Sequence, residues 1–407
     1  MPDPYPENRH RGGFQPVKNS WCFADGIHSA KDNKSYHSVK RKQGRDEHAH
    51  LNVYFSGTPN LAIQLMKTLA YFLPAFLILL FASCSKKDSG TTTVTPANLT
   101  VTAVVSTDSS GNVNFTATAT NAATYSFDFG DNIKQQDNTG TLVYKYPFSG
   151  SYTVTVTAFS STGQSVTKTI PVTVVVALKL VWSDEFDKPG SPDPANWGFD
   201  LGTGSGGWGN NELENYTNRQ ANAIVSNGTL KIIAQKESYN GSAYTSARML
   251  SYNLYSFQYG KIDVRAKLPA STGTWPAIWM LGNNLSSVGW PACGEIDIME
   301  QSGNQKSTIY GTMHYPTEVG QYGDGSTTTI PDASTAFHTY SALWTPLYIK
   351  LYVDSVEYYS LSNYNGLPFN QSFFMILNVA MGGNFGGAVD PTFTTDSMVV
   401  DYVRIYK

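Results

Sequence analysis

Apolar and polar residues alternate along most of the chain beyond residue 90, and this pattern predicts strands. In residues 260–268, Ile262, Val264, Ala266 and Leu268 alternate with charged side chains. Successive side chains of a strand point to opposite faces, so such a strand has one buried face and one solvated face. This alternation is typical of antiparallel sheets in sandwiches and not of parallel sheets, which are apolar on both faces.

Two regions carry the strand pattern, and neither contains a sustained helical period. Residues 96–176 are rich in threonine and valine, and their length and short strands predict a small immunoglobulin-like β-sandwich. Residues 177–407 predict a larger β-sandwich, a jelly roll of two curved sheets. A polar linker, residues 85–95, precedes both regions. The predicted fold class is therefore all-β, in agreement with 25 tyrosines, 20 phenylalanines and only 14% charged residues.

The first 84 residues follow a different pattern. Residues 1–65 are basic and polar without periodicity, and we expect a disordered or misassigned extension ahead of a true start at Met66. Residues 66–84 have a short cationic start, an apolar run and a terminal Cys84, which resembles a bacterial lipoprotein signal peptide. The apolar run is shorter than the ~20 residues of a transmembrane helix. The expected product is exported and lipid-anchored through Cys84 to the outer membrane or cell surface.

Charge argues against a nucleic-acid-binding protein, and cysteine content argues against a disulfide-stabilised one. The chain has a formal net charge of −3 and no basic stripe, which argues against nucleic acid as a partner. If Cys84 is lipidated and Cys22 is lost with the extension, only Cys293 remains, so no intrachain disulfide is expected. We interpret Cys293 as a small buried core residue. The expected state is a monomer.

The run Glu295–Glu300 places three carboxylates in an otherwise apolar strand. Glu295 and Asp297 share one face by parity, and Glu300 is one residue out of phase. A β-bulge at Met299 would return Glu300 to the same face. Carboxylates held this close separate their pKa values, as a general acid and a nucleophile require. The alternative is a strand edge whose solvated acids prevent aggregation.

Aromatic and polar segments upstream of the acids suit a carbohydrate cleft. The polar stretch 208–216 is suited to hydrogen-bonding hydroxyl groups along a cleft wall. Trp275 and Trp279 share one strand face by parity, and Trp290 follows shortly before the acids, so their indoles can stack on sugar rings. The alternative for each tryptophan is core packing.

The run Gly294–Glu300 resembles the active-site strand of glycoside hydrolase family 16, in its bulged, laminarinase-like branch. The resemblance covers about residues 180–407. It implies that Glu295 is the nucleophile, that Glu300 is the acid/base and that Asp297 hydrogen-bonds the nucleophile. It also implies that Trp208, Asn210, Glu212, Arg248, Trp275, Trp279 and His314 bind the substrate. The alternatives are a surface cation for Arg248 and a structural histidine for His314. Trp290 joins the binding residues through its place before the acids, and Asn378 and Asn384, around a glycine-rich run, either line the far end of the cleft or form turns.

The resemblance implies a retaining endo-β-1,3-glucanase acting on laminarin-like β-glucans, with no cofactor for catalysis. Hydrolysis of another polysaccharide, such as mixed-linkage glucan or agar, and non-catalytic glycan binding at the cell surface are the alternatives. The resemblance further implies a structural Ca²⁺, held by Glu185, the carbonyl of Gly228 and Asp401. The alternative is that Glu185 and Asp401 only satisfy the chain ends where they meet at the sheet edge.

Residues 125–132 resemble the signature of polycystic-kidney-disease repeats, which are immunoglobulin-like modules. We expect the aspartates of this segment to shape a turn, and the module to serve as a spacer or a weak glycan-binding unit.

Overall fold

The structure, a computed structural model, describes residues 93–317 and 320–407. The expected N-terminal extension and the signal peptide that ends at Cys84 lie outside the described residues. Within the described part of the chain, no helix has the length and apolar character needed to cross a membrane.

The first sandwich contains seven antiparallel strands in two sheets. A three-stranded sheet (order β1-β2-β5) faces a four-stranded sheet (order β4-β3-β6-β7) across a core that contains Phe115, Phe127 and Phe129. The strands are β1 (Ala97–Val105), β2 (Asn112–Thr120), β3 (Thr124–Asp128), β4 (Lys134–Asp137), β5 (Thr141–Lys145), β6 (Gly150–Phe159) and β7 (Ser165–Val174).

The aspartates between β3 and β4 shape the turn, as expected. Asp128 accepts the backbone N–H of Gly130 at 3.1 Å, and Asp131 accepts that of Ile133 at 3.2 Å. Asp131 also accepts the hydroxyl of Tyr144 at 2.6 Å, which ties the turn to β5. The carboxylates of Asp128 and Asp131 therefore serve as hydrogen-bond acceptors that shape the turn.

The second sandwich contains the remaining strands and four short helical turns. The strands are β8 (Leu180–Asp184), β9 (Gly198–Asp200), β10 (Glu214–Tyr216), β11 (Ala223–Ser226), β12 (Thr229–Tyr239), β13 (Ser242–Ser246), β14 (Arg248–Leu250), β15 (Gly260–Lys267), β16 (Thr274–Gly282), β17 (Glu295–Glu300), β18 (Thr308–Thr317), β19 (Gly320–Thr329), β20 (His338–Trp344), β21 (Tyr348–Val353), β22 (Val356–Ser362), β23 (Phe373–Met381) and β24 (Thr395–Tyr406). The helical turns are Gly207–Asn211, Leu285–Val288, Gly303–Gln305 and Gly383–Gly386.

These strands form two packed sheets. One has seven strands in the order β19-β18-β17-β16-β23-β14-β9. The other has ten, eight in the order β10-β13-β12-β24-β15-β20-β21-β22, with β8 on β24 and β11 on β12. One large apolar core lies between the sheets. It is built from alternate residues of each sheet, such as Ile262 and Val264 of β15, Ile296 of β17, and Met375 and Leu377 of β23. The all-β prediction of a jelly roll preceded by an immunoglobulin-like sandwich is confirmed.

Candidate active site

The three acids of β17 lie on the same face of the seven-stranded sheet, which we call the acidic face. Asp297 pairs with Thr312 of β18, and the next pair along the ladder is Glu300 with Tyr310, so the register shifts between them. The two residues inside the shift, Ile298 and Met299, are both fully buried in the core between the sheets. The expected bulge is therefore present, and it returns Glu300 to the side of Glu295 and Asp297.

Burial dominates the electrostatics of Glu300. It raises the pKa of this carboxyl to about 7, while the indole N–H of Trp275, which donates to Glu300 at 2.9 Å, and the nearby His314 oppose the shift. The negative charges of Glu295 and Glu212 raise the pKa further. Glu300 is therefore a carboxyl that holds its proton in weakly acidic solution and exchanges it near neutrality.

Asp297 lies beneath its two neighbours and is 2% exposed. Burial, followed by the charges of Glu295 and Glu300, raises its pKa well above the usual range. The side chain hydrogen-bonds Glu295, and its Oδ2 lies 3.1 Å from Nε2 of His314, which is opposite Glu295 on β18. The raised pKa favours the protonated form of Asp297, which joins His314 to Glu295.

Trp290 fixes the other side of Glu295. Its indole N–H donates to Oε2 of Glu295 at 2.5 Å, and its ring centroid lies 5.9 Å from that of His314. Glu295, Asp297 and His314 bring one potential ligand atom each to within 4.8 Å of one another. In the described residues this is the only such convergence of three metal-ligand side chains. The hydrogen bond of Asp297 to Glu295 and its close contact with His314 account for the compactness of the group.

Trp275 and Trp279 share the acidic face, as parity predicts, but they are only 7% and 8% exposed. Each uses its indole N–H internally. Trp275 binds Glu300, and Trp279 donates to Oδ1 of Asn378 at 2.8 Å. Both indoles therefore form the floor beneath the acids and present at most a narrow part of each ring.

Arg248 is not an ordinary surface cation. It is 4% exposed, and its Nε lies 3.0 Å from Oδ2 of Asp200 on the neighbouring strand β9. The guanidinium lies 4.6 Å from the ring centroid of Trp208 and 4.8 Å from that of Trp279. Cation–π contact with two indoles holds this charge in place.

Trp208 sits in a glycine-rich turn, Gly207–Asn211, and has a left-handed backbone (φ 54°). Non-glycine residues rarely adopt this region, so the surrounding glycines and the packing of the indole must compensate for the strain. This turn places Trp208 over Arg248 and 5.7 Å from the ring of Tyr216.

A buried hydrogen-bond network connects the polar stretch to the acidic face. Glu212 accepts the amide of Asn210 at 3.1 Å and the hydroxyl of Tyr216 at 2.9 Å. Tyr216 in turn accepts the amide of Asn378 at 3.0 Å. The predicted residues Asn210, Glu212 and Asn378 are therefore brought together, at exposures between 5% and 9%.

Sequence reasoning missed Glu214. It is completely buried and accepts the backbone N–H of Met381 at 2.6 Å. Burial, together with the charge of Glu212, raises its pKa well above the usual range. The signal was available, since Glu212 and Glu214 are two residues apart, like Glu295 and Asp297.

Asn384 is exposed at the edge of this network, where its Oδ1 accepts the amide of Asn211 at 2.9 Å. The adjacent Phe385 was not predicted. Its ring centroid lies 5.2 Å from that of Trp275 and 5.0 Å from that of Tyr310, which pairs with Glu300 across the ladder. Phe385 and Tyr310 thus add an aromatic wall beside the acid.

The residues expected to hold calcium have other partners. Both carboxylate oxygens of Glu185 accept the guanidinium of Arg404, at 2.9 and 2.8 Å. Asp401 pairs through Oδ2 with Arg265 at 2.5 Å. Gly228 occupies a left-handed turn (φ 70°) before β12. The Glu185 side chain is therefore not available as a charged ligand unless its ion pair breaks.

Cys293 is a core residue, as expected. It is fully buried, and burial together with the charge of Glu295 raises the pKa of its thiol to about 12. A thiol of this kind is not a nucleophile at neutral pH.

Comparison with known proteins places the two sandwiches in named families. Residues 210–404 match the family model described as glycosyl hydrolases family 16, and residues 89–174 match that of the PKD domain. The chain is 44% identical over 246 residues to the beta-glucanase of Rhodothermus marinus, and the match covers 56% of this chain and 85% of that protein. It is 38% identical over 253 residues to the glucan endo-1,3-beta-glucosidase of Cryptopygus antarcticus, covering 56% of this chain and 92% of that protein.

Solved structures agree with these relatives. A variant of LamA from Z. galactanivorans, in complex with laminaritriose and laminaritetraose, matches with a TM-score of 0.53 and 43% identity. The match covers 56% of this chain and 98% of that structure. The chain therefore belongs to glycosyl hydrolase family 16, as a glycoside hydrolase with a PKD domain ahead of its catalytic sandwich.

Proposed function

We propose that this enzyme hydrolyses internal β-1,3-glucosidic bonds of laminarin-like β-glucans with retention of configuration, through a covalent glycosyl-enzyme. The observation that carries the proposal is the β17 bulge, which places Glu295, Asp297 and Glu300 on one face and leaves Glu300 with a pKa of about 7. The substrate class is supported by relatives named beta-glucanase and glucan endo-1,3-beta-glucosidase.

The two glutamates divide the reaction between them. In the first step, the Glu295 carboxylate attacks the anomeric carbon while Glu300 gives its proton to the departing glycosidic oxygen. The carbon–oxygen bond to the leaving sugar breaks, and a glycosyl ester of Glu295 forms. In the second step, Glu300 takes a proton from water, the water oxygen attacks the same carbon, and Glu295 leaves. Two inversions give net retention.

Asp297 orients the nucleophile. Its raised pKa favours the protonated form that donates to Glu295, while Trp290 donates to the other side of that carboxylate. Two fixed donors hold Glu295 in one rotamer during attack. The chemistry needs only these carboxyl groups and water, so no cofactor enters the reaction.

The remaining predicted residues bind the polysaccharide in this proposal. Arg248 is almost buried between two indoles, so its main contribution to binding is to hold the ring of Trp208 in place beside the sugar. Trp208 and Trp290, which are half-buried, offer more ring surface than Trp275 and Trp279. His314, beside Asp297, and the exposed Asn384 complete this group.

Two alternatives differ in what they need from the acids. A glycan-binding protein gains nothing from three mutually repelling carboxyls, two of them with raised pKa values, because burying them costs stability. A hydrolase of mixed-linkage glucan or agar needs the same acids and differs only in the surrounding loops. The loops around the acids therefore determine which linkage is cleaved.

The test is reducing-sugar release by the full chain from laminarin, lichenan, agarose and xyloglucan. We expect laminarin to be the best substrate, and oligosaccharides of several lengths to appear early, as internal cleavage produces. Preference for another of the four would keep the mechanism and replace the substrate. Tight laminarin binding without release of sugar from any of them would favour the glycan-binding function.

Structural calcium remains a proposal. The ligands would be Glu185, the Gly228 carbonyl and Asp401, and binding would require the Glu185 carboxylate to exchange its ion pair with Arg404 for the ion. Because bound ligands stabilise the folded state, EDTA should then lower the melting temperature, and added Ca²⁺ should restore it. A melting temperature unchanged by EDTA would show that calcium does not stabilise the fold.

Export and anchoring remain a proposal that rests on residues 66–84 alone. We expect a monomeric enzyme attached to the outer membrane or cell surface through lipid on Cys84. Metabolic labelling with a radioactive fatty acid should mark the native protein, and Cys84→Ala should abolish the label. Equal labelling of the variant would contradict the anchor.

A further inference from the structure

The bulge that presents Glu300 leaves part of the β17 backbone without its regular ladder partner. Thr312 pairs with Asp297 and Tyr310 pairs with Glu300, so Gly311 alone lies opposite two residues, Ile298 and Met299. A bulge disrupts the ladder locally, and a buried carbonyl needs another donor. The donor comes from the other sheet.

Tyr358 of β22 supplies it, since its hydroxyl donates to the carbonyl oxygen of Ile298 at 3.0 Å. Tyr358 is itself an extra residue in its strand. Leu351 pairs with Tyr359 and Tyr352 pairs with Glu357, which leaves Tyr358 without a partner in the register. Because of this second bulge, adjacent tyrosines 358 and 359 both pack against the core between the sheets.

Gly311 provides the space for this contact. A Cβ atom at position 311 would lie 2.4 Å from the hydroxyl oxygen of Tyr358 and 2.4 Å from Cδ1 of Leu351. Any larger residue would push Tyr358 away from the bulge. Two bulges, in opposite sheets, therefore meet through one hydrogen bond beside a glycine.

We propose that Tyr358 is a positioning residue for the acid/base, because its hydrogen bond to Ile298 fixes the bulge that holds Glu300 on the acidic face. This inference rests on the proposed function, in which Glu300 protonates the leaving group. Glu295 precedes the bulge and is held separately by Trp290, so the nucleophile does not depend on Tyr358. Burial and the charges of Asp297 and Glu300 raise the pKa of Tyr358, which keeps its hydroxyl protonated as a donor.

The test is Tyr358→Phe in the full chain, with two substrates that differ in their need for an acid. Laminarin has a poor leaving group and needs protonation, whereas 2,4-dinitrophenyl β-laminaribioside releases a stable phenolate without it. General acid catalysis contributes about 10²–10⁴-fold, and a displaced acid loses part of this. We expect kcat/KM to fall about tenfold on laminarin and less than about twofold on the aryl glycoside.

Tyr340→Phe is the matched control. Tyr340 is fully buried in the same core, on β20 of the same sheet as Tyr358, and its hydroxyl has no hydrogen-bond partner among the described residues. Its loss should leave kcat/KM on both substrates within about twofold of the wild-type value. Gly311→Ala should reproduce the selective loss on laminarin, and combining it with Tyr358→Phe should add little, because both act on one contact.

An equal fall on both substrates would show a general structural effect, and an unchanged rate on laminarin would show no effect on the acid. Either result would overturn the inference.

Glu300→Gln, measured in parallel, distinguishes failure of the acid/base role of Glu300 from failure of the positioning role of Tyr358. If that variant keeps full activity on laminarin, the assignment of Glu300 fails, and the inference about Tyr358 fails with it. If it is impaired while Tyr358→Phe matches the wild type, only the inference about Tyr358 fails.

Discussion

Glu295→Gln should abolish hydrolysis of laminarin, with a fall in kcat of at least about 10⁴-fold. The amide keeps the size of the side chain and its contact with Trp290, but it cannot form the glycosyl ester. Reducing-sugar release measures the loss. Binding of laminarin oligosaccharides, measured by calorimetry, should survive because the floor of the site is unchanged.

Glu237→Gln is the control for this change. Glu237 lies on β12 of the ten-stranded sheet, where it pairs with Arg219, so the same substitution there tests the loss of a carboxylate away from the acidic face. Its activity should stay within about twofold of wild type. If Glu295→Gln keeps more than about one hundredth of the wild-type kcat, Glu295 is not the nucleophile.

Glu300→Gln should lower kcat/KM on laminarin by about 10²–10⁴-fold and alter its pH dependence. In the first step Glu300 must be protonated. Because its pKa is raised to about 7, the wild-type rate should fall as pH rises through that value, and this basic limb should disappear in the variant. A 2,4-dinitrophenyl glycoside should show a much smaller loss, since its departure needs no proton.

The groups around Glu300 that bear on this limb are Glu295, Asp297, Glu212 and His314. Glu212→Gln removes one of the charges that raise the pKa of Glu300, so it should move the basic limb to lower pH without removing it. A basic limb that persists unchanged in Glu300→Gln would assign it to another group and would contradict the acid/base role.

The sequence contained enough to predict the acidic strand. Glu295 and Asp297 are two residues apart and therefore lie on the same face of a strand. Glu300 returns to that face only if the strand contains an extra residue, so the spacing of the acids predicts the bulge. The same parity placed Trp275 and Trp279 on one face. It did not reveal that both indoles are mostly buried, because their partners Glu300 and Asn378 come from neighbouring strands far along the chain.

The environment of Arg248 shows why other contacts could not be predicted. Its charge partner, Asp200, lies 48 positions earlier and becomes its neighbour only when β9 pairs with β14. Tyr358 reaches the β17 bulge through a second bulge in β22, and no local pattern in either strand specifies the other. Such contacts depend on how the strands pair and pack, which periodicity leaves open.

The most direct test of the central claim is the anomeric configuration of the first product, followed by proton NMR as laminarin is cleaved. A glycosyl-enzyme on Glu295 that is released by water under control of Glu300 predicts that the β-anomer appears first and that the α-anomer grows only by mutarotation. Initial appearance of the α-anomer would show inversion and would contradict the assignment of Glu295 as a nucleophile.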